Sequence, residues 1–364
     1  MKVKKRSMIF ISIFLLLFMC MVILIHHLRT ENQRLKDDAN LLQQLFDENT
    51  AAAQAGIAQA SENGVLKNGQ LTVTDGRLTD SEGRPLQLRG MSSHGVTWYP
   101  GYTSYSAIKT TKDYGANLFR VAMYSDHTPG GYNYDKTSAE FGTAIMYTAI
   151  ENALSADMYV IADWHLLEDR NPLVQTDSAL PFFEELSSRY AGEPGLIYEI
   201  CNEPNGETTW SDIQAYAEKV IPVIRANSPD ALIIVGTPRY SSNLQPAMED
   251  PLPYDNILYA YHYYSGMTYY GFQEVLDAAK EQEFPVFVSE WGISKDEATG
   301  DLQTEAALAF IAYMKENSLS WANWSLCNKN EEYSAIRHDV QKLSGWSEEE
   351  LTETGKIVFR ALSE

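Results

Sequence analysis

From Gly64 to the C-terminus the chain repeats one unit: a short run of β-branched or aromatic residues, then a helical stretch. The runs centre on 86–89, 117–121, 159–162, 196–200, 232–235, 257–260, 286–289 and 321–324. Strands joined by crossover helices must run the same way, so the alternation predicts a parallel sheet. Eight units close that sheet on itself, and the expected fold is α/β, a (β/α)8 or TIM barrel over residues 63–364. Gln70 to Asp80 alternates like a hairpin placed to plug the barrel bottom. With 364 residues and 45% hydrophobic content the chain can fill such a core. Its three cysteines, Cys20, Cys201 and Cys327, form no C-x-x-C pair, so the fold stands without a disulfide framework or structural zinc.

The first 30 residues contain Lys2, Lys4, Lys5, Arg6 and Arg29 but no acid, and Met8 to Ile25 is apolar except for Ser12. At about 1.5 Å per residue this run spans roughly 27 Å, close to a hydrocarbon core and longer than the apolar part of a cleaved signal. Residues 1–28 are therefore expected to form a basic cytoplasmic stub and a single-pass transmembrane anchor, with everything after residue 28 outside the membrane. The alternative is secretion after signal cleavage, but Ile25-His26-His27-Leu28-Arg29 is too bulky for a prompt cleavage site. Residues 29–62 read as a partly helical spacer, since Leu28, Leu35 and Leu42 make only two heptads.

Chemistry in a barrel of this type gathers at the carboxyl ends of the strands. There this sequence places His94 and Trp98, Arg120 and Tyr124, Asp163-Trp164-His165, Asn202-Glu203-Pro204, Tyr261-His262-Tyr263-Tyr264, Glu290-Trp291-Gly292, and Trp324 with Lys329 and Glu331. Strand five ends in Gly236-Thr237-Pro238 and offers little. Glu203 and Glu290 stand at ends that a barrel brings across one cleft, and paired carboxylates are the equipment of glycoside cleavage. Arg120 would keep one carboxylate charged and Tyr264 could donate to it. A net charge of -21 repels phosphate backbones, which excludes nucleic acid as a partner. The 12% aromatic content suits sugar-stacking surfaces instead.

LIYEICNEPNG (196–206), VFVSEWG (286–292), YVIADWH (159–165) and YAYHYY (259–264) resemble glycoside hydrolase family 5. RGMSSHGVTWY (89–99) and SWANWSLCNK (320–329) are similar to its bacterial endo-β-1,4-glucanase branch. The resemblance implies a retaining endoglucanase acting on a β-glucan polysaccharide such as cellulose, with no cofactor. Glu203 would be the acid/base, Glu290 the nucleophile, and Asn202 the partner of the sugar 2-hydroxyl. Arg120 and Tyr264 would position Glu290, while His94, His165 and His262 would line the cleaved sugar's subsite, with Tyr124 a further substrate-binding candidate. Trp98, Trp324, Lys329 and Glu331 match glycone-side positions, and Trp210 is the leaving-group-side candidate. Membrane-held members of this kind imply association with a cellulose-secretion system. Tyr99-Pro100 and Leu167 to Pro172 depart from the branch pattern at the cleft edge.

Rival readings attach to the same residues. The two glutamates as a plain buried ion pair conflict with their strand-end placing beside Arg and Tyr. A metal site on His94, His165, His262 and Asp163 lacks the His-x-His of metal-dependent barrel hydrolases, so no metal is expected. Trp164 and Trp291 read as packing residues and Cys201 as a small buried residue. The alternatives in function are a β-mannanase, mixed-linkage glucanase or xyloglucanase on the same barrel, and a catalytically silent glycan-binding protein.

Overall fold

The computed structural model describes residues 29–30, 32–48, 50–51, 60–267, 271–296 and 298–364. By its internal contacts the chain divides into Met1–Asp47 and Glu48–Glu364. In the first unit residues 32–47 are helical, within the segment expected as a spacer. The anchor expected over residues 1–28 lies outside the described residues. Among the described residues no helix is long and apolar enough to cross a membrane.

In the second unit eight parallel strands close into a barrel. They are β3 (Arg89–Ser93), β4 (Leu118–Tyr124), β5 (Tyr159–His165), β6 (Leu196–Glu199), β7 (Ile233–Val235), β8 (Ile257–Tyr264), β9 (Val286–Gly292) and β10 (Trp321–Leu326). Each pairs with the next, and β10 returns to β3. The hairpin expected ahead of the barrel is β1 (Thr72–Thr74) and β2 (Arg77–Thr79), antiparallel. Its two-residue turn, Asp75-Gly76, has φ of 50° and 70°, the left-handed pair that matches the twist of a tight hairpin. Leu71 and Leu78 join Leu88, Leu118, Tyr159, Ile197, Leu258 and Phe287 in one buried cluster, so the hairpin seals the amino end of the barrel.

The first strand begins later than the run at 86–89 suggests. Pairing starts at Arg89 and Gly90, and Gly90 sits so close to β4 that a Cβ there would lie 1.9 Å from the Leu118 carbonyl oxygen. The close approach demands glycine, and glycine with two serines hides the strand from a hydrophobicity reading.

Outside the barrel lie α1 (Tyr105–Asp113), α2 (Lys136–Ser155), α3 (Thr176–Arg189), α4 (Trp210–Asn227), α5 (Phe272–Glu281), α6 (Thr304–Glu316) and α7 (Glu353–Ser363). Side chains close their first turns: Ser104 accepts from Ala107 N, Asp135 from Ser138 N and Thr352 from Gly355 N, while Thr209 and Asp212 form a reciprocal capping box. Each such cap stabilises its helix by about 1 kcal/mol, enough to fix where a helix leaves the rim.

Candidate active site

Strand alternation delivers the polar side chains. On β8, Leu258 and Ala260 belong to the buried cluster, and His262 and Tyr264 continue the same face toward the carboxyl end. On β6, Ile197 is in the cluster and Glu199 follows two residues on. On β9, Ser289 and Glu290 both turn inward, one touching Glu199 and the other Arg120. Register irregularities lie beside them, between Ala260 and His262 on β8 and between Trp321 and Asn323 on β10.

Arg120 is the hub. It is fully buried, and its Nε donates to Glu199 Oε2 at 2.7 Å, its Nη1 to Glu290 Oε2 at 3.0 Å and its Nη2 to Asn202 Oδ1 at 2.6 Å. Asp163 Oδ2 lies 3.0 Å from Nη2. Burial works against the guanidinium charge, but Asp163, Glu199 and Glu290 outweigh it and hold Arg120 well above its ordinary value. Asp163 in turn is pushed up to about 7 by burial, against the pull of Arg120.

The two catalytic candidates meet different partners. Glu290 has both oxygens occupied, Oε2 by Arg120 and Oε1 by the Tyr264 hydroxyl at 2.6 Å. Glu203 Oε1 lies 2.8 Å from His262 Nδ1, and burial pushes Glu203 up to about 8 although Arg120 pulls it down. One oxygen of each glutamate and one His262 nitrogen lie within 4.8 Å of one another. Such a triplet is close enough to meet a metal ion. Its donors are already spent, however, on Arg120, Tyr264 and Ser289 as well as on each other, and the nearby guanidinium opposes a second cation.

Beside the carboxylates stands an aromatic wall. Trp324 stacks on His165 with centroids 5.0 Å apart and planes 14° apart, and His94 lies 5.1 Å from Trp324. Tyr124 packs 4.2 Å from His165 and 4.6 Å from Trp98, which is 38% exposed and anchored by its Nε1 to Pro129 O. Burial pulls His94 and His165 down to about 3 and His262 down to about 4, so all three are neutral near pH 7. His165 donates through Nδ1 to Asp163 at 2.7 Å and accepts from Asn202 Nδ2 at 3.3 Å. Lys329 Nζ bridges Glu331 Oε2 at 2.6 Å and His94 Nε2 at 3.2 Å.

Thirteen of the fourteen site candidates thus gather around this carboxyl-end cluster by direct contact with one another, Trp98 through Tyr124. Trp210 does not. It is 6% exposed, donates through Nε1 to Asp250 O, and packs 5.8 Å from Tyr259, which alternates out of the barrel. As the first residue of α4 it is covered by the outer face of β8. Trp164 and Trp291 are fully buried packing residues, and Cys201 and Cys327 are buried free thiols.

Three residues escaped the sequence reading. Glu199 and Ser289 sit inside apolar runs, where the signal was a charge and a hydroxyl on inward positions. Tyr240 follows strand five, in a turn whose Arg239, Tyr240 and Ser241 all have left-handed φ of 59°, 58° and 51°. Tyr240 N donates to Pro204 O and Ser241 Oγ to Asn202 O at 2.6 Å, so the strained turn is pinned to the Glu203 loop and leaves the Tyr240 ring 53% exposed.

A family model described as Cellulase (glycosyl hydrolase family 5) matches residues 79–330. The chain belongs to glycosyl hydrolase family 5. Its curated relatives include an endoglucanase of Clostridium saccharobutylicum, 38% identical over 296 residues, or 81% of this chain and 65% of that protein. Endoglucanase A of Butyrivibrio fibrisolvens is 40% identical over 298 residues, covering 81% and 69%. The chain spans between 57% and 69% of the length of the first five such relatives. Among solved structures, the catalytic domain of a Thermobifida fusca endoglucanase superposes with a TM-score of 0.77 at 33% identity, covering 82% of this family 5 chain and 99% of that one. The same domain in complex with cellotetraose gives 0.76 and 32%.

Proposed function

We propose that this family 5 chain is a retaining endo-β-1,4-glucanase that cuts internal bonds of cellulose or a related β-glucan. The observation that carries the reading is the pair of unlike glutamates. Glu203, kept protonated by burial, faces Glu290, whose two oxygens are oriented by Arg120 and Tyr264, and their oxygens lie within 4.8 Å. That spacing leaves no room for an attacking water between them and suits a covalent intermediate. Glu203 gives its proton to the leaving oxygen as Glu290 attacks the anomeric carbon. Glu203 then takes a proton from the water that releases the sugar.

The glycone side is read as the wall of Trp98, Tyr124 and Trp324 with Lys329 and Glu331, where Glu331 Oε1 is a buried acceptor with no hydrogen-bond partner from the protein. Tyr240, exposed beside Pro204, takes the leaving-group role that the sequence assigned to Trp210. A named endoglucanase relative and a neighbour bound to cellotetraose support the choice of a β-1,4-glucan. Incubation of the full-length protein with defined β-glucans and mannans, with the first product followed by proton NMR, tests this. Cleavage of β-1,4-glucan with β-anomer formed first is expected, and an initial α-anomer or a preference for mannan defeats the proposal.

The placement proposed is a single-pass membrane anchor at residues 1–28, a spacer at 29–62 and a catalytic domain at 63–364 on the outer face. A spacer tied to such an anchor would keep the cleft near the membrane, so it would work on glucan at its own envelope. This supports a role in trimming secreted cellulose beside a cellulose-secretion system.

A further inference from the structure

Trp98 stands 38% exposed at the rim of the aromatic wall, yet its ring has little freedom. Its Nε1–H donates to Pro129 O at 2.9 Å, and the neighbouring Thr97 hydroxyl donates to Gly130 O at 2.7 Å. Two glycines close on the indole itself. A Cβ at Gly95 would lie 2.3 Å from Cε3 and 2.6 Å from Cζ3, on the six-membered ring. A Cβ at Gly130 would lie 2.4 Å from Nε1 and 3.0 Å from Cε2, on the five-membered ring. Gly130 also has φ of 98°, a conformation that a residue with a side chain adopts only under strain. Tyr124 meets the indole edge-on, with centroids 4.6 Å apart.

The slot is built by contacts that do not involve the ring filling it. Asp126 Oδ1 accepts from Thr128 N at 2.9 Å, Gly131 N donates to Thr128 O at 2.8 Å and Tyr132 N to Tyr124 O at 2.8 Å, which closes the 125–135 loop on itself. Ser125 Oγ donates to Asp169 Oδ2 at 2.7 Å and Asn133 Nδ2 to Gln175 Oε1 at 2.7 Å, fastening that loop to the connection after β5. An indole on an open rim would turn among its rotamers and give its N–H to water. With the N–H held by a backbone carbonyl, Trp98 presents a sugar with its ring face and no hydrogen bond.

We infer that Gly95 and Gly130, with the Pro129 carbonyl, are positioning residues for Trp98: a slot of backbone fixes the plane of the glycone platform before any sugar arrives. The inference rests on the glycone reading of Trp98 given above. A platform set in advance removes the loss of freedom that immobilising a large side chain on binding would bring, roughly two- to tenfold in affinity. A face held in one plane and offering no hydrogen bond suits the flat β-1,4-glucosyl unit, whose hydroxyls are equatorial and whose axial hydrogens form an apolar surface.

Gly130→Ala sets a methyl group against Nε1. It is expected to raise KM for cellopentaose roughly two- to tenfold with kcat little changed, because a sugar stacked away from the cleaved bond is held equally in ground and transition states. In a Trp98→Ala background the same substitution is expected to change neither constant, since the ring it displaces is gone. An equal loss in both backgrounds means that Gly130 merely supports its loop, and overturns the inference. Constants in Trp98→Ala that match wild type defeat the glycone reading itself. A further measurement needs no glycine variant to fold. In full-length protein labelled with nitrogen-15 tryptophan, the Trp98 indole signal is identified by its loss in Trp98→Phe. Without sugar, its relaxation should give an order parameter near that of rigid backbone, about 0.85, and a value below about 0.6 overturns the inference. Absence of cellopentaose hydrolysis by wild type would sink the activity reading alone, because the relaxation still decides whether the ring is held.

Discussion

The guanidinium of Arg120, on the second barrel strand, reaches Glu290, on the seventh, at 3.0 Å across 170 positions of sequence. That one group also holds Glu199 and Asn202, so the nucleophile candidate, the fourth barrel strand and the loop carrying Glu203 share a single buried cation. The arrangement is costly to break, because removing the cation leaves Asp163, Glu199 and Glu290 as buried carboxylates without their counter-charge.

Arg120→Met should therefore destabilise the fold by about 3 to 5 kcal/mol, the range found when one partner of a buried ion pair is removed. Urea unfolding of wild type and variant at pH 7 checks this. A loss under about 1 kcal/mol would show that the three carboxylates find other partners.

The two glutamates should fail in different ways. Glu203→Gln and Glu290→Gln are each expected to lower polysaccharide cleavage severely, the acid/base change alone costing on the order of 10² to 10⁴ in rate. An activated aryl glycoside, whose leaving group needs no proton, should restore the first chemical step in Glu203→Gln and not in Glu290→Gln. Rescue of the wrong variant would exchange the two roles.

The pH profile should report Glu203 on its alkaline side. Burial raises its carboxyl to about 8, and only the protonated form can serve the leaving oxygen. Activity as kcat/KM is expected to hold through neutrality and fall as pH rises past about 8. A fall centred near pH 5 would mean that burial does not protect the proton.

Stability should pay for that proton. A carboxyl whose folded value exceeds its ordinary 4.5 contributes fully below about pH 4.5 and loses that contribution as pH rises toward 8, where the unfolded chain ionises and the folded one does not. Glu203→Gln removes the titration while keeping a donor toward His262. The variant should match wild type near pH 4 and exceed it by on the order of 3 to 5 kcal/mol at pH 8. Denaturant titrations at several pH values would show a constant difference if Glu203 were not buried against its charge.

Placement in the cell is tested by fractionation of the native host. Full-length protein in the membrane pellet is expected, and a shortened soluble form in the medium would favour a cleaved signal.

Eight runs of strand-forming residues, and reactive side chains recurring at their ends, were enough to determine the barrel and to name both glutamates, because strand alternation and barrel closure are local and repetitive rules. The first strand was misplaced because Gly90 answers to the Leu118 carbonyl, a neighbour that no local pattern contains. Trp210 was named as a leaving-group-side candidate from the resemblance alone. Only packing against Tyr259 turned it inward. Glu199 and Ser289 were legible as polar residues in apolar runs, but not as partners, since 90 positions separate them. The unlike state of the two glutamates was likewise decided in three dimensions. Burial and one shared guanidinium are properties of what the closed barrel brings together, and residue types alone do not specify them.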